Sequence, residues 1–390
     1  MTLTLPLTLR KCRAIILKSS KCSVCGGVLA HRRERTKGRN AMKLLRGLAA
    51  AVLLALATAI AAGPAYAQAL SGKKIGIAAR EITNDYNRDI IAGATAVLKA
   101  AGAEVVVTDG GTDPRKHNEN IESLVNSGVA GIIVQLGDPK QLAPVVAKAN
   151  AAGIPVITTS IGSKTEGAIA DVGGDEALMA AMLARSLLSS IDYKGNVVAF
   201  WVPGAPLLET RKRVFEAVVA DYPNVKVQWV PTEHSAAKVQ TQMEDLLTAN
   251  PEKGSIAGVW GAYDLLVSGA VEAVRRSGRD EIKIASIDGD RIGFQMLLDE
   301  GSPFVATIVQ DVPAIGRLAA ETLVSAIGGK KDFPSAIFTE VYVATHANGA
   351  AAAEKRWGPS VWDDLAIARK DVEGRWPQDS DLIVVRPVLP

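Results

Sequence analysis

The chain has 390 residues, of which 48% are hydrophobic and 5% aromatic, and its formal net charge is +3. Residues 1–67 hold twelve of the 44 Lys and Arg but one of the 41 Asp and Glu, which leaves 32 basic and 40 acidic residues and a net charge of −8 after residue 67. This acidic remainder has no basic footprint for nucleic acid, so nucleic-acid binding is not expected.

An export signal is predicted at residues 42–67. Residues 42–46, MKLLR, form a basic head, an apolar run follows at 47–62, and Ala65-Tyr66-Ala67 matches a cleavage site. A retained membrane span would need about 20 apolar residues and a stop-transfer flank, whereas polar sequence follows Ala67. We therefore expect cleavage after Ala67 and a periplasmic mature protein.

Residues 1–41 precede that signal, although export signals belong at the extreme N-terminus. We interpret them as a non-native upstream extension, with Met42 rather than Met1 as the true start. All three cysteines lie there, namely Cys12, Cys22 and Cys25. The last two, with His31, would make half a zinc site, but no second pair completes four ligands, so no metal is expected.

Strands and helices alternate throughout the next 260 or so residues, which predicts parallel sheets with helices on both faces. Apolar runs predict strands at 73–79, 103–108, 131–136, 154–159, 196–202, 225–230, 256–260, 282–287 and 304–309. Apolar residues at helical spacing predict the intervening helices, at 88–98, 114–125, 139–151, 176–189, 207–221, 236–249, 265–277 and 312–327. Asp113 and Ser235 are the expected N-caps of two of them.

The domain organisation follows from the length and from one break in the pattern. About 320 residues exceed one typical hydrophobic core, and the alternation restarts after a polar segment at 171–175, so two lobes are predicted. Residues 347–390 differ from the rest because they contain three of the six tryptophans and several prolines. We interpret them as a tail whose aromatic rings dock on a lobe; a surface for a partner is the alternative.

The segment 255–290 contains a strand, a helix and a second strand. Such crossovers are right-handed and give parallel neighbouring strands. Tyr263, Asp264 and Asp288 follow the carboxyl ends of these two strands. They therefore lie at the sheet edge where open α/β folds bind ligands.

From residue 71 to residue 343 the chain resembles the periplasmic solute-binding proteins of ABC transporters, in particular the ribose-binding-like sugar-binding group. The order of several short matches carries this resemblance: Asn84 with Tyr86, IPVIT at 154–158, Arg211, LLTANP at 246–251, GAYD at 261–264, SIDG at 286–289 and ATIVQ at 306–310.

The resemblance implies a periplasmic binding protein type I fold, with two Rossmann-like lobes, each a parallel sheet flanked by helices, joined by three crossings. We place the crossings near Gly173, Asp311 and Glu340. The N-terminal lobe would comprise residues 72–173 plus 311–339. The C-terminal lobe would comprise residues 174–310 plus 340–346.

The resemblance also implies a ligand site formed by eight side chains, which are Tyr86, Asn87, Ser160, Arg211, His234, Tyr263, Asp288 and Gln310. The fork of donors on Arg211 suits vicinal hydroxyl oxygens. Asp288 would accept hydrogen bonds from ligand hydroxyls, Gln310 could donate and accept, and Tyr86 would stack on a C–H face.

Each role has a simpler alternative. Arg211 could be a solvated charge near a helix N-terminus, Asp288 could cap a helix that begins at Arg291, and Tyr86 and His234 could be surface residues. Tyr263, where the family commonly has asparagine, and His234, where it often has an aromatic, could each stack or hydrogen-bond.

Two departures from the family pattern bear on the ligand. Ser160-Ile161 stands where ribose binders have an Asp-Arg pair, and Asn87 stands where a second aromatic residue is usual. One charged bidentate contact and one stacking surface are therefore missing. This argues against a ring sugar and favours a linear polyol, a deoxy-sugar or another small polar compound.

The predicted function is capture of a small hydroxylated solute by closure of two lobes, with delivery to the membrane subunits of an ABC permease. We expect a monomer without cofactors. A receptor for a chemotaxis or two-component sensor is the alternative, since a fold does not decide between these roles. A secreted enzyme is the third possibility, but the dinucleotide, nucleophile-elbow and P-loop motifs are missing from the sequence. A repressor would need a helix-turn-helix in place of the export signal.

Overall fold

The computed structural model describes residues 69–376 and 384–385. The predicted upstream extension at 1–41 and the predicted signal at 42–67 lie outside these residues. No helix within the described ranges is long and apolar enough to cross a membrane.

The strands are β1 Lys74–Ala79, β2 Glu104–Asp109, β3 Gly131–Gln135, β4 Val156–Thr159, β5 Asp171–Gly173, β6 Gly195–Trp201, β7 Val225–Pro231, β8 Gly258–Gly261, β9 Lys283–Asp288, β10 Phe304–Gln310, β11 Ala336–Phe338, β12 Val341–Thr345 and β13 Val384–Val385. The helices are α1 Asp85–Ala100, α2 Pro114–Asn126, α3 Pro139–Ala151, α4 Glu176–Ser190, α5 Pro206–Val219, α6 Ala236–Ala249, α7 Asp264–Ser277, α8 Arg291–Leu298, α9 Val312–Ile327, α10 Gly349–Trp357, α11 Val361–Leu365 and α12 Arg369–Arg375. The two expected caps are confirmed, because Asp113 accepts from the Arg115 amide at 2.8 Å and Ser235 from the Lys238 amide at 3.2 Å.

The first sheet has the strand order β11-β5-β4-β3-β1-β2, and all its neighbouring strands are parallel. Strands β3 and β4 are buried along their whole length, as expected where helices cover both faces of a parallel sheet. The polar segment predicted at 171–175 is in part a buried strand, β5. The Asp171 carboxylate accepts from Thr158 Oγ1 at 2.8 Å and from the Gly162 amide at 3.0 Å, so its polar side chain is satisfied internally.

The second sheet has the order β13-β12-β10-β9-β8-β6-β7. Strands β6 to β10 are parallel, as predicted, but β12 runs antiparallel to β10 and β13 antiparallel to β12. Strand β12 follows β11 of the other sheet after two residues, so no crossover helix sets its direction. Strands β5, β11 and β13 have two or three residues each, too few for a periodic signal in the sequence.

We call each sheet, with its flanking helices, a lobe. Each lobe has its own hydrophobic core. The chain passes between the sheets after β5, after β10 and between β11 and β12. Helix α9, which follows β10 of the second lobe, packs on α1 of the first lobe. Each lobe therefore contains segments from distant parts of the chain.

Residues 349–376, the C-terminal segment, form helices α10, α11 and α12 on the second lobe. Its three tryptophans, Trp357, Trp362 and Trp376, are partly buried against that lobe's core. The Trp357 ring meets Phe294 edge-to-face with the centroids 5.1 Å apart. These rings are thus docked on a lobe.

Helices α1 and α9 approach each other at two glycines. A Cβ atom on Gly316 would lie 1.9 Å from the Ile90 carbonyl oxygen, and one on Gly93 would lie 2.2 Å from the Pro313 carbonyl oxygen. Gly316→Ala should therefore lower the free energy of unfolding by about 2–3 kcal/mol through overpacking, although alanine favours a helix by about 1 kcal/mol. Urea denaturation measures this change. Gly374→Ala is the control, because Gly374 also lies in a helix but has no neighbour within 4 Å of the added Cβ; equal effects at both positions would contradict the prediction.

Candidate functional site

A buried ion-pair cluster lies at the centre of the site in the second lobe. Arg211 on α5 is 2% exposed and donates through Nε to Glu176 Oε2 at 2.5 Å and through Nη2 to Glu176 Oε1 at 3.3 Å. Its Nη1 donates to the backbone carbonyl of Ala262 at 2.6 Å, and Asp288 Oδ1 lies 3.6 Å from Nη2. Arg211 is therefore not the solvated helix charge that the sequence left open as an alternative.

Glu176 is the first residue of α4, directly after the chain crosses from the first lobe. Asp175 caps this helix by accepting from the amides of Ala177 and Leu178. A carboxylate in the first helical turn is favoured by the helix dipole. At this position the Glu176 side chain contacts Arg211. Sequence reasoning did not select Glu176, because an acidic residue in the first turn is common in helices of any function.

Asp288 ends β9 in an unusual backbone conformation. Its φ angle is +126°, a region that residues with a side chain rarely adopt, and Gly289 follows with φ +63°. Asp264 supports this turn: its carboxylate accepts from the Gly289 amide at 2.8 Å, from Thr307 Oγ1 and from Ser286 Oγ. The sequence placed Asp264 at the open edge of the sheet, but its side chain is fully buried beneath the turn.

Asp290, and not Asp288, caps the helix that begins at Arg291, because Asp290 Oδ1 accepts from the Gly293 amide at 2.7 Å. Asp288 instead accepts from Gln310 Nε2 at 2.9 Å. Gln310 is the last residue of β10 and is fully buried, and its Oε1 has no hydrogen-bond partner among the described residues. Asp288 and Gln310 thus form one polar group beside Arg211.

The first lobe contributes Tyr86 and Ser160. Tyr86 is in the first turn of α1, and its hydroxyl is 2.8 Å from the hydroxyl of Ser160, which follows β4. The phenol is close enough to Asp288, Glu176 and Arg211 of the second lobe for all three to act on its pKa. Tyr86 is therefore bonded within the first lobe and faces the charged groups of the second.

His234 and Tyr263 form a pair at the second lobe. His234 Nδ1 is 2.8 Å from the Tyr263 hydroxyl, and the ring centroids are 5.9 Å apart. Partial burial lowers the pKa of His234, Arg80 lowers it further and Glu81 opposes them; Arg80 and Glu81 directly follow β1 of the first lobe. The imidazole is exposed as the surface alternative expected, but it has a defined partner and faces charges of the opposite lobe.

Asn87 occupies a different environment from the other seven predicted residues. Its Nδ2 donates to Glu81 Oε1 at 2.9 Å, and its backbone carbonyl accepts from Gln135 Nε2 at 3.2 Å. Glu81, Gln135 and Asn87 are all buried in the first lobe. Gln135 is a further polar residue at a strand end that sequence reasoning did not select, although it terminates β3 in the same way that Gln310 terminates β10.

Burial shapes the electrostatics of the cluster. Burial raises the pKa of Asp288 to about 7, against the opposing effect of Arg211. Burial also raises the pKa of Tyr86 and Tyr263, which keeps both phenols protonated at neutral pH. Burial disfavours the charge of Arg211, but Glu176 and Asp288 outweigh it and raise the pKa of the guanidinium. The cluster therefore combines one fixed cation with carboxylates and neutral hydroxyl and amide groups.

Comparisons with protein-family models, with individual proteins and with solved structures all point to one family. Residues 75–331 match the model of the periplasmic binding protein domain. The ribose import binding protein of Bacillus subtilis is 27% identical over 66% of this chain and 82% of that protein, and the xylitol-binding protein of Mycolicibacterium smegmatis is 26% identical over 67% and 74%. The crystal structure of an ABC transporter solute-binding protein from Agrobacterium vitis with bound allitol matches with a TM-score of 0.67 at 26% identity, over 76% of this chain and 99% of that one.

The raised pKa of Asp288 predicts a pH-dependent stability. The folded protein keeps this carboxyl protonated up to about pH 7, whereas the unfolded chain ionises it near 3.8. The folded state therefore gains stability from this proton below pH 3.8 and loses that stability as the pH rises through 7. Asp288→Asn cannot ionise, so it should exceed the wild type in unfolding free energy by roughly 2–4 kcal/mol at pH 8 and match it near pH 4.

Urea denaturation of the unliganded protein at both pH values measures this difference. Asp280→Asn is the control, because Asp280 is exposed and its hydrogen bond to Lys253 lowers the pKa of its carboxyl. The prediction is wrong if Asp288→Asn changes stability equally at pH 4 and pH 8.

Proposed function

The chain belongs to the periplasmic binding protein family, and we propose that it captures a small neutral polyhydroxylated solute, of the linear polyol or deoxy-sugar class, between its two lobes. In this proposal it acts in the periplasm after removal of residues 42–67 and delivers the solute to the membrane permease of an ABC importer. Binding, without a chemical step, is the activity.

The observation that carries this proposal is a set of buried oxygen atoms without hydrogen-bond partners among the described residues. Three such atoms belong to residues that end strands, namely Gln135 Oε1 and Thr159 Oγ1 in the first lobe and Gln310 Oε1 in the second. A buried polar atom left unpaired costs about 1–3 kcal/mol, so a ligand with several hydroxyl donors would gain by pairing with them.

The charge arrangement supports a neutral ligand. Arg211 is already bonded to Glu176 and the Ala262 carbonyl, and the first lobe presents the hydroxyls of Tyr86 and Ser160 in place of a charged pair. A polyol, which has both donor and acceptor capacity at each carbon, fits hydroxyl and amide partners without needing a bidentate ion contact. Relatives that bind allitol and xylitol support the same class.

Capture by closure follows from the division of these groups between two lobes. A ligand contacts all of them only when the lobes are close together, so binding shifts the population toward the closed arrangement. The permease would then distinguish the closed form from the open form. Tyr86 has a central part because its hydroxyl group is near Ser160 of its own lobe and the ions of the other.

Isothermal titration calorimetry of the purified protein with pentitols, hexitols, ribose and deoxyribose tests the proposal. At least one should bind, and a hundredfold excess over Kd should stabilise the protein by about 2.7 kcal/mol. Tyr86→Ala should weaken that binding at least tenfold, about 1.4 kcal/mol, through loss of stacking and of the hydroxyl. Tyr193→Ala is the control, because Tyr193 is an exposed tyrosine that stacks on Tyr222 outside the site. Binding of none of these compounds, or equal losses in the two variants, would contradict the proposal.

A further inference from the structure

Glu176 is the one member of the ion cluster that neither the sequence pattern nor the family resemblance selected. Its side chain is 6% exposed and accepts hydrogen bonds from two nitrogen atoms of Arg211, while the Ala262 carbonyl accepts from the third. No nitrogen of the guanidinium is left without a protein partner. Arg211 is thus held in place before any ligand arrives.

The pair also removes the positive charge that Arg211 would otherwise present. Glu176 compensates it fully, and Asp288 at 3.6 Å adds a carboxyl that is ionised above about pH 7. The buried group of three therefore has a net charge between zero and −1. Because charges interact strongly in a buried, weakly screened site, an anionic group placed beside Arg211 would be repelled by the carboxylates of Glu176 and Asp288 and would gain little from a guanidinium that is already paired.

We propose that Glu176 determines the charge selectivity of the site: by neutralising Arg211 it admits uncharged polyols and rejects their carboxylate counterparts. This inference rests on the proposed function and deepens it, because it names the ligands that the site refuses. Glu176 is a positioning residue for Arg211 as well, so the test needs a measurement that a merely structural role would not change.

That measurement is the ratio of affinities for a polyol and the acid of the same carbon chain. Calorimetry at pH 8 with xylitol and xylonate, and with ribitol and ribonate, gives the ratio for each variant. The wild type should prefer each polyol to its acid at least tenfold. Glu176→Gln keeps the shape and an acceptor oxygen but removes the charge, and it should shift the ratio toward the acid roughly tenfold or more.

Two further variants separate charge from structure. Glu209→Gln makes the same charge change on α5, where Glu209 accepts from Trp201 Nε1 at 3.3 Å and from the Gly204 amide at 2.9 Å instead of contacting Arg211; it should leave the ratio unchanged. The double variant Glu176→Gln/Arg211→Gln keeps the total charge and should retain the wild-type ratio, which also provides a test if the single variant does not fold.

The outcomes are distinct. An unchanged ratio in Glu176→Gln, or a shifted ratio in the double variant, overturns the role of Glu176. A wild type that binds xylonate or ribonate as tightly as the polyol overturns the inference but leaves solute capture intact. A wild type that binds no polyol and no sugar overturns the proposed function and this inference with it.

A second inference has an independent basis in the C-terminal segment. Arg356 of α10 is 4% exposed, and its Nη2 lies 3.4 Å from Asp89 of α1 in the first lobe, while its Nη1 lies 3.8 Å from Asp311 at a crossing. Helix α10 itself packs on the second lobe, and it begins beyond residue 331, where the match to the family domain ends. The arginine therefore connects a helix that packs on the second lobe to the first lobe.

The surroundings explain why a cation is needed there. Burial raises the pKa of Asp290 of the second lobe to about 6, and Asp85 and Asp89 of the first lobe raise it further, while Arg356 opposes them. Asp85 is paired with Arg88 of its own helix, so Arg356 is a buried cation that meets Asp89 where Asp89 faces Asp290 across the lobe boundary. Arg291 of α8 also acts on Asp89, but from a more exposed side chain.

We infer that the C-terminal segment is a clasp, in which Arg356 stabilises the approach of the two lobes. Small-angle X-ray scattering of the unliganded protein and the dissociation rate of a bound polyol measure this effect. Arg356→Gln should increase the radius of gyration and accelerate dissociation roughly tenfold, and Asp89→Asn should act in the same direction.

Arg369→Gln is the matched control, since Arg369 belongs to the same segment and its ion pairs among the described residues, with Glu354 and Glu373, lie within that segment. Its scattering curve and dissociation rate should equal those of the wild type. The clasp is overturned if Arg356→Gln and Asp89→Asn both leave the radius of gyration unchanged, or if Arg369→Gln alters it to the same extent.

Discussion

A guanidinium that is almost completely buried constrains the second lobe and, through it, the candidate site. An unpaired buried charge would cost several kcal/mol, so Arg211 requires partners from the surrounding elements. Glu176 comes from the start of α4, the carbonyl of Ala262 from the end of β8 and Asp288 from the end of β9. These partners come from different parts of the chain. Their shared contact with the Arg211 side chain fixes the relative position of three elements at one sheet edge.

The same constraint extends to the backbone. Asp288 contacts Arg211 and Gln310 while its backbone has a positive φ angle. This conformation is energetically unfavourable for residues other than glycine. The buried carboxylate of Asp264, bonded to the Gly289 amide and to two hydroxyls, stabilises that turn from below. In the proposed complex a ligand would meet carboxyl and amide groups that the protein has already oriented, which would reduce the entropy lost on binding.

The candidate site illustrates which functional residues a sequence can indicate. The rule that ligands bind at the carboxyl ends of parallel strands selects Tyr263, Asp264 and Asp288, although Asp264 is buried beneath the turn, whereas Gln310 was selected through the family resemblance. Glu176 was missed because an acidic residue in a first helical turn has an ordinary explanation, and Gln135 because nothing in an apolar strand distinguishes its last residue from the rest of the strand. Asn87 was grouped with the site, yet its side chain is bonded to Glu81, a buried partner six residues earlier.

The sequence by itself determined the family and the two α/β lobes with parallel sheets, because apolar periodicity, caps and the order of short motifs are local properties of the chain. Only the tertiary structure decided the short strand β5, the antiparallel edge of the second sheet, the docking of the C-terminal tryptophans and the pairing of Glu176 with Arg211. Each of these depends on contacts between residues far apart in the chain, and a contact of that kind leaves no periodic signal in a single sequence.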